Sequence, residues 1–278
     1  MEPTFTADPP ELSTISLEID GPIATMTLDR PDSMNAMNIE MIQELPRIAS
    51  WLADAGEAAG IRALVVTGAG HAFSAGGDVS MFREGLDDEN NDLSQAIRYG
   101  ADVLHQAIVD FRRIPFPVVA AVNGAAAGAG FSLSLMCDTR LASENAFFVV
   151  AYGRIGASPD GGMTYFLPRL LGPARATELM LNDPIIRADD ALQMGIVAEV
   201  VDHDALADTA RAKAEELGAK APHYTRMVKK LVAQSLDNSL ADHLQIERHG
   251  IADSMRTEDL KTGVYAFMEG ETPEFTGR

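Results

Sequence analysis

Two short segments of this chain carry residue types and spacings suited to chemistry. Residues 65–79 read VVTGAGHAFSAGGDV, and residues 123–130 read NGAAAGAG. Each follows a strand-like apolar run, and each is filled with glycine and alanine. Small residues let a backbone approach a ligand closely. The second segment leads into FSLSLM, which predicts a helix over 131–136. A helix N-terminus offers free N–H groups and the positive end of a dipole. One N–H from each loop, converging on one oxygen, would form an oxyanion hole.

Other uses of these loops fit less well. A dinucleotide-binding turn would begin at Gly68-Ala69-Gly70, but Phe73 stands where its third glycine is needed. A nucleophile elbow would use Gly130-Phe131-Ser132-Leu133, but Ser134 stands where its closing glycine is needed. The six histidines, His71, His105, His203, His223, His243 and His249, show no metal-ligand spacing, so no metal is expected. Cys137 is the sole cysteine; it excludes an internal disulfide and reads as a small buried hydrophobe.

The elements around the loops alternate. Residues 12–19 and 23–28 read as strands of a hairpin turning at Asp20-Gly21-Pro22. Asn38 caps a predicted helix to about residue 55, with Met41, Ile42, Leu45, Ile48, Ala49 and Leu52 on one face. A strand over 62–67, a helix over 93–112 and a strand over 117–122 follow, then strands near 139–143 and 146–150. Strand and helix in alternation predict an α/β fold built from βαβ turns. From about residue 186 the pattern turns helical: 188–194, 204–218, 222–236, 239–255 and 257–268, interrupted by the apolar run Ile196 to Val201. This divides the chain into a disordered N-terminus over 1–10, a core over 11–200 and a helical region over 201–278. The apolar faces of that region predict oligomerisation.

Composition bounds the partners. The chain has 278 residues, 46% hydrophobic and 23% charged, enough for a sizeable core. Its formal net charge of −19 disfavours nucleic acid, which needs a basic surface. No apolar run reaches the roughly 18 residues of a membrane span, and the acidic, proline-bearing start MEPTFTADPP lacks a signal peptide's pattern. The expectation is a cytoplasmic protein with neither membrane nor nucleic-acid partner.

Several stretches together make the sequence resemble the crotonase, or enoyl-CoA hydratase/isomerase, family. They are LDRPDSMNAMN (28–38), HAFSAGGDVSMF (71–82), PVVAAVNGAAAGAGFSLSLMCD (117–138), RIGASPDGGMTYFLPRLLG (154–172), ADDALQMGIVAEVVD (188–202) and the tail FMEGETPEFTGR (267–278). The resemblance implies a spiral of ββα units with a C-terminal helical trimerisation region, assembled as a trimer or a dimer of trimers. It implies an acyl-coenzyme A substrate, with coenzyme A as part of the substrate and no separate cofactor. It assigns the oxyanion contacts to the backbone N–H groups of Ala75 and Ala129. It assigns coenzyme A contacts to Arg30, Ala36, His71, Ala72 and Phe73, and an acyl pocket to Met81, Phe82 and Phe131. Asp78 would fix the oxyanion loop or cap the next helix.

Departures from the family pattern bear on the reaction. The hydratases use two glutamates; here Ser132 and Tyr152 occupy their places, leaving at most substrate contacts for these two. Serine and tyrosine cannot form an acid–base pair near neutral pH without strong help. The isomerases, which move a 3-enoyl double bond to the 2-position, carry an acid where this chain has Asp160. The resemblance thus favours an isomerase in which Asp160 shuttles one proton through an enolate. Asp160 also precedes Gly161-Gly162 and an apolar run, the position of a helix cap. The alternatives are an enoyl-CoA hydratase of fatty-acid oxidation, a non-catalytic acyl-CoA binder and, less favoured, a thioester hydrolase.

Overall fold

A computed structural model describes residues 8–88 and 92–278. Residues 1–7 of the expected disordered N-terminus and residues 89–91 of the polar stretch DDENND lie outside the described residues.

The chain opens with the hairpin β1 (Ile15–Asp20) and β2 (Ile23–Leu28), followed by α1 (Ile39–Asp54), whose first turn is capped by the Asn38 side chain accepting from the Met41 N–H. Then come β3 (Ala63–Gly68), β4 (Ala72–Ser74), α2 (Val79–Asp87), α3 (Leu93–Arg113), β5 (Val118–Val122), β6 (Ala125–Ala127) and α4 (Ala129–Met136). The middle of the chain adds β7 (Thr139–Ser143), β8 (Phe147–Val149), α5 (Met163–Leu171), α6 (Pro173–Asn182), β9 (Ile186–Arg187), α7 (Ala188–Met194) and β10 (Glu199–Val201). Four helices close it: α8 (Leu206–Gly218), α9 (Pro222–Gln234), α10 (Leu240–Ser254) and α11 (Glu258–Glu269).

The strands form two sheets, one ordered β1-β2-β3-β5-β7-β10 and the other β4-β6-β8-β9. All pairings are parallel except β1 with β2 and β8 with β9. Strand β3 shows why its sequence is continuously apolar. Leu64 and Val66 join the main core, while Ala63 and Val65 face a smaller cluster with Leu206, Ala210 and Ala214 of α8. Burial on both faces removes the polar alternation of a half-exposed strand. Each fully buried Leu or Val stabilises by about 1.5–3 kcal/mol.

Three strands of the first sheet hand the chain to a three-residue strand of the second. β3 leads to β4, β5 to β6 and β7 to β8, and these short strands pair side by side, Ala72 opposite Ala125 and Ala125 opposite Phe147, with a bulge in β4 between Ala72 and Ser74. The loops that leave β4 and β6 are therefore neighbours. This staggered ββα repetition is the α/β spiral that the resemblance implies.

Two expectations about local structure change. The stretch 123–130 is not one loop: it contains β6, and α4 begins at Ala129 rather than residue 131. Helical structure starts well before residue 186, because α5 and α6 span Met163 to Asn182. As expected of Asp78, it caps the helix that follows, α2, with Met81 and Phe82 in its first turns.

Candidate active site

The two small-residue loops converge as β4 and β6 require. Gly76 adopts φ +91°, and a methyl group added to it would lie 2.6 Å from the Ala127 carbonyl oxygen and 3.2 Å from the Ala129 nitrogen. A side chain at position 76 would therefore wedge the loops apart. Ala129 is the first residue of α4, so its N–H has no acceptor within the helix.

On the first loop the sequence expectation needs correction. The Ala75 N–H is not available to a ligand, because it donates to the Met34 carbonyl at 2.9 Å. Next along the loop, the Gly76 N–H donates to the Ser74 hydroxyl at 3.2 Å. Met37 then bonds both flanks of Gly77: its N–H donates to the Gly76 carbonyl at 2.7 Å, and its carbonyl accepts from the Asp78 N–H at 3.1 Å. In a parallel bridge of this kind the residue between the two bonds turns its own N–H away. The Gly77 N–H has no hydrogen-bond partner among the described residues. Gly77 and Ala129 thus each present a backbone N–H with no hydrogen-bond partner among the described residues, one from each loop, and the Phe82 ring packs 3.6 Å from where a Gly77 side chain would begin.

Two asparagines fix these loops. Asn123 donates through Nδ2 to the carbonyls of Gly68 at 2.9 Å and Gly70 at 3.0 Å. Asn35, fully buried at φ +54°, donates to the carbonyls of Ala69 at 2.9 Å and Ala72 at 2.7 Å. A left-handed non-glycine residue costs about 1–2 kcal/mol, and these bonds to buried carbonyls offset that cost. Neither asparagine stood out in the sequence, although the Asn-Gly pair at 123–124 is a turn signal.

The residues expected to contact coenzyme A divide. His71 is exposed, whereas Ala36 is buried, and Ala72 and Phe73 are buried in β4, with the Phe73 ring in the core. Phe73 therefore offers no side-chain surface to a ligand. Arg30 is not a free surface cation: Nη1 donates to the Ala36 carbonyl and to Asp78 Oδ2, the latter at 3.2 Å. Asp78 also caps α2 by accepting from the Ser80 N–H and hydroxyl. The Ser80 hydroxyl holds its carboxyl below the usual range against the opposing effect of burial, with Arg30 adding to the shift. Phe131, expected in the acyl pocket, is fully buried with its ring centroid 5.1 Å from that of Phe148; it is core. Met81 and Phe82 remain half-buried on α2.

Three residues singled out by the departures come together. Tyr152 donates its hydroxyl to Asp160 Oδ1 at 2.6 Å. The Ser132 hydroxyl donates to the Asp160 carbonyl at 3.1 Å and lies 3.4 Å from the Tyr152 hydroxyl. Ser132 is fully buried, so it joins two turns and presents no surface to a substrate. Asp160 does not cap a helix, since α5 begins at Met163 with Gly162 as its cap residue and no side-chain bond there. Burial pushes the Tyr152 phenol well above its ordinary value, and the neighbouring Asp160 charge pushes it further, so Tyr152 stays protonated and donates. Asp160 Oδ2 has no hydrogen-bond partner among the described residues. The turn is tight: Gly161 sits at φ +61°, where an added methyl would lie 2.9 Å from Ser132 Cβ.

His105 completes the surroundings and was not foreseen. Its Nε2 accepts from the Gly161 N–H at 3.3 Å. A cavity of about 1410 Å³ is lined by His105, Ile108, Asp160, Phe166, Val228 and Val232 among others. That exceeds the roughly 300–1000 Å³ of ordinary small-molecule sites. The only other carboxylate on its wall among the described residues is Asp138, bound to Lys229 Nζ at 2.6 Å and Arg112 Nη1 at 3.2 Å. Cys137 is buried, which pushes its thiol up to about 12 and leaves it unreactive. Among the described residues, no group of three or more His, Cys, Asp and Glu could hold a metal ion, and no helix is long and apolar enough to cross a membrane.

Comparison with known proteins follows the same lines. A family model described as enoyl-CoA hydratase/isomerase matches residues 18–278. A protein of Rhodobacter capsulatus named "Probable enoyl-CoA hydratase" is 40% identical over 266 residues, covering 95% of this chain and 98% of that protein. The 1,2-epoxyphenylacetyl-CoA isomerase of Escherichia coli is 35% identical over 256 residues, covering 92% of this chain and 95% of its own. The crystal structure of an enoyl-CoA hydratase from Bacillus anthracis superposes with a TM-score of 0.87 at 30% identity, covering 96% of this chain and 100% of that one.

Proposed function

The chain belongs to the enoyl-CoA hydratase/isomerase family, and from that premise we propose that it is a 3-enoyl-CoA to 2-enoyl-CoA isomerase. The observation that carries this reading is Asp160, whose Oδ1 is held by the Tyr152 hydroxyl and whose Oδ2 has no hydrogen-bond partner among the described residues, whereas the neighbouring Asp78 and Asp138 are engaged by Arg30 and by Lys229 and Arg112. In the proposed reaction Asp160 Oδ2 takes the proton from C2 of the acyl group. The electron pair left behind moves into the thioester as an enolate, whose oxygen accepts from the Gly77 and Ala129 N–H groups. The same oxygen of Asp160 then returns the proton at C4, and the double bond comes to rest between C2 and C3. Each oxyanion donor contributes roughly 10²–10³ in rate, and the positioned base about 10²–10⁴.

The burial of Ser132 and the pairing of Tyr152 with Asp160 argue against the two-carboxylate chemistry of a hydratase. Hydration remains the second reading because of the "Probable enoyl-CoA hydratase" relative. The acyl group would enter the cavity beside Asp160, with coenzyme A over Ala36, His71 and the Arg30–Asp78 pair. The exposed apolar residues of α9 to α11, among them Val232, Leu240, Ile251 and Phe267, support self-assembly, which we propose takes the form of a homotrimer or a dimer of trimers, in a protein of the cytoplasm.

The test is the rate of 3-hexenoyl-CoA isomerisation for the wild type and Asp160→Asn, with hydration of 2-hexenoyl-CoA followed in parallel. An active wild type and a loss of about a hundredfold in the variant support the isomerase. Hydration that proceeds equally in both proteins, without isomerisation, overturns it in favour of the second reading.

A further inference from the structure

We infer that Tyr152 is a positioning residue that fixes which oxygen of Asp160 carries the proton and how far that oxygen stands from the oxyanion loop. The inference rests on the proposed role of Asp160 and goes beyond it. Tyr152 spans the site. Its hydroxyl donates to Asp160 Oδ1 at 2.6 Å, and its ring carbon Cζ lies 4.0 Å from where a Gly128 side chain would begin, at the turn that starts α4. One rigid ring thus links the carboxylate to the turn carrying the Ala129 N–H. A phenol has two soft side-chain torsions, so the span varies little.

The turn bearing Asp160 is held from two further directions. Ser132 donates to its carbonyl at 3.1 Å, and the following Gly161 N–H donates to His105 Nε2 at 3.3 Å. Backbone restraint alone leaves the carboxylate free to rotate about its last torsion, which is broad for aspartate. The Tyr152 hydrogen bond removes that freedom. With Oδ1 occupied by a donor, the C2 proton goes to Oδ2, and the acid formed there can deliver it only to a carbon that Oδ2 reaches. The C2–H bond breaks and its electron pair enters the enolate; the C4–H bond forms from the enolate pair and the proton on Oδ2. Atoms and charge balance, and the proton need not meet solvent.

This arrangement has a signature that mere structural support lacks. A fixed carboxyl returns the proton it took, whereas a rotating one exposes it to exchange. Tyr152→Phe keeps the ring against Gly128 and removes only the hydroxyl.

The experiment compares wild type, Tyr152→Phe and Asp160→Asn on 3-hexenoyl-CoA in deuterium oxide, reading kcat, KM and deuterium at C4. Tyr152→Phe is expected to lower kcat about tenfold to a hundredfold, the worth of a hydrogen bond to a charged group. KM should change by less than about threefold, and deuterium at C4 should rise above the wild-type level. A Tyr152→Phe protein that matches wild type in kcat and in deuterium, while Asp160→Asn is inactive, overturns the positioning role and leaves the Asp160 reading standing. A wild type without turnover, or an Asp160→Asn protein as active as wild type, removes the Asp160 reading and the role of Tyr152 with it.

Discussion

Replacing Gly76 with alanine tests whether the two loops act through their mutual distance. The added methyl would meet the Ala127 carbonyl oxygen at 2.6 Å, so the loops must part by roughly 0.8 Å to restore an ordinary 3.4 Å contact. The backbone adds its own strain, because φ +91° is a region alanine rarely adopts, costing about 1–3 kcal/mol. Overpacking adds about 1–3 kcal/mol more. The sum, about 2–6 kcal/mol, falls short of all but the lowest typical stabilities of about 5–15 kcal/mol, so the variant is expected to fold, which the thermal melt checks. Gly60 supplies the control: its φ is +87°, and an added methyl would meet nothing within 4 Å. Gly60→Ala therefore carries the same backbone strain without the wedge and should lower the melting midpoint by a few degrees with kcat unchanged. Gly76→Ala should lower kcat about a hundredfold, as a misplacement near 1 Å does in other sites. The assay is steady-state isomerisation of 3-hexenoyl-CoA beside a thermal melt of each protein. A folded Gly76→Ala with the kcat of Gly60→Ala would refute the idea that the converging N–H groups do the work.

Two further variants probe the frame around the site. Glu44 accepts from the backbone and side chains of Ser13 and Thr14. Burial alone would raise its pKa, but the bonds from Thr14 and Ser13 outweigh burial and hold it below the ordinary 4.5. Its contribution is full above the unfolded value and is lost as pH falls through the folded one. Glu44→Gln should therefore cost about 1.5–3 kcal/mol at pH 7, with the gap in melting midpoint closing as pH drops below about 4; a constant gap from pH 7 to 3 would count against this. Asp138→Asn removes the carboxylate that neutralises Lys229, whose pKa burial already lowers despite that partner. Leaving a buried charge unpaired costs about 3–5 kcal/mol. Adding Lys229→Met to Asp138→Asn should recover part of that loss in urea unfolding, and an additive result would show that the two do not couple.

What the sequence made legible, and what it hid, follows from the range of the forces involved. The Asn38 cap, the Asp20-Gly21 turn and the long amphipathic helices depend on neighbours within a turn or two, and their patterns are written locally. Strands β4 and β6 span three residues each, too few for a period-two pattern, and their alanines read as loop. Helix α5 was hidden by Gly161-Gly162 before it and Pro168 within it. The choice between Ala75 and Gly77 as free donor depends on Met34 and Met37, about forty positions upstream, and on which way each peptide turns. Residue type carries no trace of that. Arg30 likewise finds Asp78 across 48 positions, so its fate as an internal strut could not be read from its neighbours. The clustering of Ser132, Tyr152 and Asp160, in contrast, was visible as departures from a family pattern at places that the fold brings together.

The buried Ser132 hydroxyl constrains how this protein can change over evolutionary time. It sits where a relative with two acids would carry one of them, yet here its oxygen joins the Asp160 turn to the first turn of α4, and Gly161 leaves no room behind it. A glutamate at this position would need new space and would sever that joint at the same step. A glutamate at position 152 would face Asp160 at close range, where two carboxylates cannot both ionise. A step to a paired-acid arrangement therefore either breaks the Ser132 joint or shifts the protonation of Asp160. The walls of the neighbouring cavity carry no such joint, so substitutions there are expected to be better tolerated than at Ser132.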